Sequence, residues 1–213
     1  MIGIYGTGGT AKDVFDIIVR QQPCEKIIFI DDTKELGTFR GKEMYPFHKI
    51  PEYYNPQNMK ITVAIGEPSV RKQLYKKIKD RKYSLVNIYH EDVDISDYAT
   101  IGEGLIAFRG VSIGADANLE ENILLEPHVI IGHDVCIKKH TVLSCRVVVG
   151  GYTQIGESVY IALASVLKDR IQIGNDTIIG VGSMVVKDLP PEVIAVGYPA
   201  RPIKRNDKKK VFE

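Results

Sequence analysis

A strict six-residue repeat of apolar side chains, running from residue 95 to residue 189, constrains the fold more than any other feature of the chain. Successive positions at this spacing are apolar from Ile95 through Ile131 to Val185, without an insertion. Four residues after each comes a second position that is nearly always small or β-branched, such as Val129 or Val135. An α-helix cannot keep a six-residue period on one face, because its own period is 3.6 residues. A triangular coil can, since each hexapeptide forms one flat side and three sides close one turn.

The repeat therefore predicts a parallel β-helix, a prism of about five coils stacked at the strand spacing of about 4.8 Å. Glycine follows the first repeat position several times, as at Gly132 and Gly150, and we expect it to relieve the bend at the corners. We assign residues 91–213 to this prism and residues 1–90 to a separate domain.

The first 90 residues alternate short apolar runs with helical patterns. Strands are predicted over 1–5, 26–30, 61–65 and 85–89, helices over 11–20 and 69–79, and a proline-containing loop with short elements over 33–58. This alternation is typical of a Rossmann-like β-α-β unit with a parallel sheet, which gives an α/β domain.

A glycine-rich turn, Gly6-x-Gly8-Gly9, lies between the first strand and the first helix, and Asp31 and Asp32 follow the second strand. Glycines allow the backbone to approach a phosphate, and a helix N-terminus offers free N–H groups. A site for NAD is only weakly indicated, because the domain is shorter than a two-halved dinucleotide fold. A tight turn without a ligand is the alternative.

A glycine-rich domain fused to such a prism resembles the hexapeptide-repeat acetyltransferases, whose prism is a left-handed β-helix. Within them it is similar to the nucleotide-amino-sugar N-acetyltransferases and the sialic-acid O-acetyltransferases. The resemblance implies acetyl-CoA as co-substrate, and a homotrimer with active sites between subunits. It implies a UDP- or dTDP-linked 4-amino-4,6-dideoxy sugar of bacterial surface glycan synthesis as the acceptor, and GDP is the third nucleotide that members of the family bind. The implied substrate-binding residues are Gly6, Gly8, Gly9, Thr10, Lys12, Asp31, Asp32, Gly66 and Arg71, with Thr10 standing where many relatives have histidine.

His133 is followed directly by Asp134, which resembles the family motif of a general base and the acid that orients it. Gly151 lies one 18-residue coil further on, and its N–H is expected to bond the acetyl carbonyl. The alternatives are a solvated histidine and a glycine that merely relaxes a corner. His128 and His140 occupy other sides of the coil, and we assign them no role.

The segment Gly197-Tyr198-Pro199-Ala200-Arg201 resembles the family signature beside the adenosine end of CoA. We expect a cation there to meet the 3′-phosphate and small residues to leave room for the pantetheine arm. The expected CoA-binding residues are Gly151, Ala162, Gly180, Gly182, Pro199, Arg201 and Lys204. Small residues also suit corners, and the basic run 204–210 also fits a solvated tail.

Composition narrows the remaining classes. A net charge of +1 does not indicate a nucleic-acid partner, and no apolar run approaches the roughly 20 residues of a membrane span. We expect no signal peptide, no metal site, and three reduced cysteines in a cytoplasmic protein. The alternative functions are a sugar O-acetyltransferase and a non-catalytic β-helix that acts as a scaffold or binding module.

Overall fold

In the computed structural model, which describes residues 1–212, the chain begins with an α/β domain. Its six-stranded sheet has the order β3-β4-β2-β1-β5-β6, and all neighbours are parallel except the edge pair β3 and β4. The strands are β1 Ile2–Tyr5, β2 Ile27–Ile30, β3 Gly37–Phe39, β4 Lys42–Tyr45, β5 Lys60–Val63 and β6 Ser84–Leu85. The helices are α1 Gly9–Gln21, α2 Ile50–Tyr53 after a 3₁₀ turn at Phe47–Lys49, and α3 Pro68–Asp80.

The rest of the chain is a left-handed parallel β-helix with three faces. The face on which the α/β domain packs, called the docked face, contains β7 Ile88–Tyr89, β10 Ile106–Ala107, β13 Leu124–Leu125, β16 Val142–Leu143, β19 Tyr160–Ile161 and β22 Ile178–Ile179. It is extended by β24 Val193–Gly197 and β25 Ala200–Arg205. The apolar face contains β8 Asp94–Ile95, β11 Ser112–Ile113, β14 Ile130–Ile131, β17 Val148–Val149, β20 Val166–Leu167 and β23 Met184–Val185. The polar face contains β9 Thr100–Ile101, β12 Asn118–Leu119, β15 Cys136–Ile137, β18 Gln154–Ile155 and β21 Gln172–Ile173.

The prism interior is filled as the repeat predicts. Each coil pairs in parallel with the one 18 residues later, so Ile131 stands directly above Ile113 and below Val149. The polar interior positions are satisfied by the next coil: the Thr141 hydroxyl donates to Gly156 O at 2.8 Å, and the Ser165 hydroxyl donates to Gly180 O at 3.0 Å. The interior therefore gains packed aliphatic layers without unpaired hydroxyls at these two positions.

Glycine is needed at the corners for a different reason from the one we expected. The left-handed backbone at the corners is adopted by other residues, such as Asp134 at φ 56° and His128 at φ 63°. Gly132 instead makes room for the next coil, because a Cβ there would lie 2.8 Å from the Gly151 nitrogen. Close approach of two coils, rather than relief of a bend, requires glycine at this position.

The α/β domain is attached to the docked face. The outward side chains of β10, β13 and β16 are Ile106, Leu124 and Val142, and they are buried in one cluster with Val14 and Ile17 of α1. Shielding of both sides explains why these strands are apolar at consecutive positions. One flank of the prism is thus closed by the molecule's own first domain.

The structure corrects two boundaries. The run predicted as one strand over 85–89 divides, because Ser84–Leu85 completes the α/β sheet while Ile88–Tyr89 already pairs with the prism. The regular coils therefore begin a few residues before the predicted start at 91. Residues 33–58 contain the hairpin of β3 and β4, which extends the parallel sheet past β2, and the short helix α2.

Candidate active site

His133 lies at the corner where the apolar face turns into the polar face. Its Nδ1–H donates to Asp134 Oδ2 at 2.8 Å, and both side chains are exposed. A carboxylate can only accept this bond, so Nδ1 carries the proton, and in the neutral ring Nε2 is then a free acceptor. The corner therefore presents an oriented, solvent-accessible base.

Gly151 lies directly above this imidazole in the next coil. A Cβ at Gly151 would lie 2.9 Å from both Cε1 and Nε2 of His133, so any side chain would displace the ring. The neighbouring amides of Gly150 and Tyr152 donate to Leu167 O at 2.9 Å and to His133 O at 3.0 Å. Within residues 1–212, no backbone carbonyl accepts from the Gly151 N–H. A free donor and a free base thus lie side by side.

Two further residues on this corner were not found from the sequence. The Tyr152 ring meets the His133 ring edge to face, with centroids 5.0 Å apart and planes at 89°. The Arg170 guanidinium lies 4.2 Å from the centroid of Tyr152. The signal was available, because Tyr152 and Arg170 follow Asp134 by one and two coils of 18 residues. The stack limits the rotation of the imidazole.

The other prism histidines lie at different corners. His140 is buried where the polar face meets the docked face, and Asn122 Nδ2 donates to its Nδ1 at 2.9 Å. Burial lowers the pKa of His140 to about 4, so its ring is neutral at neutral pH. His128 lies at the third corner, against Gly110. Neither ring joins His133.

In the α/β domain, the glycine-rich turn leaves the start of α1 open. Gly8 caps the helix with extended backbone and without a side-chain cap, and a Cβ at Gly8 or Gly9 would meet only open space. The first-turn amides, including that of Thr10, have no partner within the helix. Lys12 is exposed on the same turn. Gly6 adopts φ 121° and lies against Ala64 O, so the turn itself requires glycine there.

The two aspartates after β2 are largely occupied by internal bonds. Asp32 accepts from Tyr5 OH and Lys77 Nζ, each at 2.6 Å, and from the Phe47 amide at 2.8 Å. Burial alone would raise the pKa of Asp32, but the bonds from Lys77 and Tyr5 lower it overall. This carboxylate holds the loops together at the carboxyl edge of the sheet.

Asp31 accepts from Thr33 and from Thr7 Oγ1, and Lys34 Nζ donates to the same Thr7 oxygen at 2.7 Å. Burial opposes ionisation of Asp31, yet the bonds from Thr33 and Thr7 lower its pKa overall. Lys34 is therefore a cation beside the glycine-rich turn that the sequence reasoning missed.

The resemblance implies that Arg71 binds the substrate, and the structure contradicts this. Its side chain is fully buried, and it donates to Val63 O at 2.6 Å, to Ile65 O at 3.0 Å and to the Asn122 carbonyl and amide oxygens at 2.9 Å. Burial lowers the pKa of this guanidinium to about 9, which keeps it a cation at neutral pH. Arg71 is enclosed between α3 and the prism, where it ties the two domains together.

The predicted CoA residues divide into those that are exposed and those that are buried or covered. Arg201 and Lys204 are exposed on β25, and Pro199 lies in the turn between β24 and β25. Gly182 has open space around it, whereas Ala162 is buried and a Cβ at Gly180 would lie 2.5 Å from Val196 Cγ1. Gly180 is therefore small because the hairpin covers it, which is a correction to its expected place in an open groove.

The described residues, 1–212, contain no cluster of three or more His, Cys, Asp or Glu side chains that could hold a metal ion. None of the helices in this range has the length and apolar character needed to cross a bilayer.

Comparison with known proteins gives one family model and several solved structures. Residues 1–78 match the PglD N-terminal domain. The acetyltransferase domain of PglB from Neisseria gonorrhoeae has a TM-score of 0.89 at 24% identity, covering 95% of this chain and 98% of that one, which shows the shared fold.

PerB from Caulobacter crescentus, in complex with CoA and GDP-perosamine, has a TM-score of 0.86 at 28% identity, covering 94% of this chain and 96% of that one. A histidine-to-alanine mutant of the GDP-perosamine N-acetyltransferase of Caulobacter crescentus, with the same two molecules, has a TM-score of 0.88 at 27% identity, covering 94% and 95%. The N-terminal domain thus matches the PglD N-terminal domain family, and the chain as a whole resembles the hexapeptide-repeat N-acetyltransferases of nucleotide-linked amino sugars.

Proposed function

We propose that this chain is an acetyl-CoA-dependent N-acetyltransferase acting on the amine of a nucleotide-linked amino sugar. The observation that carries the proposal is the His133–Asp134 pair beside the free amide of Gly151. It occurs in a chain that is 28% identical, over 94% of its length, to a protein crystallised with CoA and GDP-perosamine. Transfer from a thioester to an amine requires a base and an oxyanion donor, and this corner offers both.

In the proposed mechanism, Nε2 of His133 accepts a proton from the neutral sugar amine as the amine nitrogen bonds to the thioester carbonyl carbon. The Gly151 N–H stabilises the oxyanion that forms on the carbonyl oxygen. The imidazolium, held by Asp134, then returns its proton to the sulfur as the carbon–sulfur bond breaks, which leaves the amide and free CoA. No covalent acyl-enzyme is involved. Burial and a bond to Glu126 raise the pKa of the Cys145 thiol to about 11, which argues against a thiolate nucleophile.

We place the diphosphate of the sugar nucleotide at the N-terminus of α1. The free amides after Gly8 and Gly9, with Lys12 and Lys34 nearby, suit two negative charges. We propose a UDP- or dTDP-linked 4-amino-4,6-dideoxy sugar as the acceptor. GDP stays the third nucleotide to test, and the complex of the Caulobacter relative with GDP-perosamine supports its inclusion.

The proposed sugar-nucleotide site in the α/β domain and the base His133 lie on different sides of the prism. This supports a catalytic site shared between copies of the chain. His133 lies at the corner opposite the docked face, which carries the α/β domain. One side of the prism, at six residues, spans up to about 20 Å. A sugar amine held by the α/β domain would have to cross the prism to reach the His133 of its own chain, so we propose that a neighbouring copy supplies the base.

The apolar face supports a trimer built in this way. Ile130, Val148, Val166 and Met184 stand above one another in register, and Ile130 and Val166 are 47% and 43% exposed. A continuous exposed apolar stripe marks an interface, and it borders the corner with His133. We propose that closure of three such contacts forms the homotrimer.

We further propose that Arg201 and Lys204 hold the 3′-phosphate of CoA on the β24–β25 hairpin. Their exposed cations suit a phosphate, and the hairpin extends the docked face at the end of the prism. Dephospho-CoA lacks only that phosphate, so calorimetry should show it binding about tenfold more weakly than CoA. Desulfo-CoA, which keeps the phosphate, is the matched control, and equal affinity of dephospho-CoA and CoA would contradict the assignment.

The direct test of the function is an assay of purified protein with acetyl-CoA and a panel of UDP-, dTDP- and GDP-linked amino sugars. We expect CoA release that depends on the amino sugar, with an N-acetyl product identified by mass spectrometry. Free sialic acid and the matching 4-hydroxy nucleotide sugars test the O-acetyltransferase alternative. A lack of turnover together with a lack of CoA binding would favour the scaffold alternative. The three unpaired cysteines support a reaction in the cytoplasm.

A further inference from the structure

The last residues of the described chain form an ordered segment, residues 206–212, rather than a solvated tail. Asn206 is buried. Its backbone N–H donates to Glu192 O and its side-chain Nδ2 donates to Asp176 O, each at 2.8 Å. Lys209 Nζ contacts Asp176 Oδ2 at 2.9 Å and Glu192 Oε1 at 2.8 Å. These contacts fix the direction in which the segment leaves β25.

The segment ends against the loop that follows β5. The amides of Val211 and Phe212 donate to the same oxygen of Glu67, Oε2, at 2.9 and 3.0 Å. The Phe212 ring meets Tyr160 of the docked face edge to face, with centroids 5.6 Å apart. Its Cε2 atom would lie 3.9 Å from a Cβ at Gly66. Phe212 therefore bridges the α/β domain and the prism.

This position is where an open parallel sheet binds its ligand. Strand order reverses at β1, which has β2 on one side and β5 on the other. A ligand crevice forms at the carboxyl ends of the strands at such a switch point. The loops at this switch point are the turn after β1, which begins at Gly6, and the loop after β5, which contains Gly66, so the fold rule places a ligand between them. Phe212 stands on the second of these loops with 55% of its surface exposed.

We propose that Phe212 is a specificity-determining residue that forms an aromatic wall of the sugar-nucleotide site. Its exposed ring offers a flat apolar face, which suits either the base or the apolar face of a deoxy sugar. The Glu67 carboxylate holds the ring in place through two backbone amides. The inference rests on the proposed function, because it assumes that the crevice takes a nucleotide sugar.

The experiment compares Phe212→Ala and Phe212→Tyr with wild-type protein. We expect Phe212→Ala to raise the KM for the nucleotide sugar about tenfold, with the KM for acetyl-CoA unchanged. The melting temperature should fall by only about 2–4 °C, because the lost ring contact is worth about 1 kcal/mol. Phe212→Tyr, which keeps the ring, should restore wild-type values. The matched control is Val19→Ala, which removes exposed apolar surface from α1 far from the crevice and should change neither KM. Unchanged KM values in Phe212→Ala, or equal rises in both, would overturn the proposal.

Binding of the nucleoside diphosphate alone, measured by calorimetry, gives a second readout that does not need turnover. Weaker binding in Phe212→Ala would place the ring at the nucleoside, whereas a loss seen only with the nucleotide sugar would place it at the sugar. If wild-type protein binds these molecules but acetylates none, the proposed function fails while the site remains. If Phe212→Ala binds both as wild type does, the aromatic wall fails alone.

Discussion

His133→Ala should lower kcat by about 10²- to 10⁴-fold, while the KM for the nucleotide sugar changes little. The reason is that the base beside the free Gly151 amide is lost, whereas the proposed sugar-nucleotide crevice lies elsewhere on the molecule. Asp134→Asn should cost less, because the imidazole remains but loses the carboxylate that fixes its tautomer. Steady-state kinetics with saturating acetyl-CoA measures both effects.

His128→Ala is the matched control, since it removes an imidazole from another corner of the prism and should leave kcat near wild type. The melting temperature and the oligomeric state of His133→Ala should equal those of wild type, because the ring is exposed. A kcat within a few fold of wild type would remove His133 as the base.

Mixed oligomers extend the same prediction to the shared site. Gly9→Asp places a carboxylate at the N-terminus of α1 and should repel the diphosphate. Neither His133→Ala nor Gly9→Asp should be active alone. Purified mixed trimers should regain about one third of wild-type activity, because a cyclic trimer of two variants always contains one interface with both intact halves. Inactive mixed trimers would place the whole site within one chain.

The repeat spacing of the sequence predicted which residues line the prism and which share a corner. It did not predict which residues the docking of the α/β domain would bury. A spacing of six residues determines which side chains enter the prism, and a spacing of 18 places Gly151 above His133. The same arithmetic would have found Tyr152 and Arg170, which lie on the same corner. The docking of the α/β domain left a weaker signal, namely apolar outward residues such as Leu124 and Val142. Nothing in the spacing showed that this docking would enclose a charged residue such as Arg71.

Arg71→Met should destabilise the protein by about 3–5 kcal/mol, because it leaves several buried carbonyl oxygens without a donor. The methionine fills most of the volume but leaves the carbonyl oxygens of Val63, Ile65 and Asn122 without their donor. Each buried acceptor that loses its partner costs about 1–3 kcal/mol. Urea denaturation, followed by circular dichroism, gives the free energy of unfolding.

Lys72→Met is the control for this effect, because the neighbouring side chain is half exposed and its ion pair with Glu157 is worth at most about 1 kcal/mol. The pair of variants also separates two roles for the arginine. A substrate-binding role, which the resemblance implied for Arg71, would give Arg71→Met a raised KM for the nucleotide sugar with normal stability. A buried tie between the domains instead gives a large loss of stability, with near-normal KM in the fraction that remains folded. The geometry around Asn122 predicts the second result, because the Arg71 side chain is fully buried and its guanidinium is engaged by carbonyl oxygens of both domains.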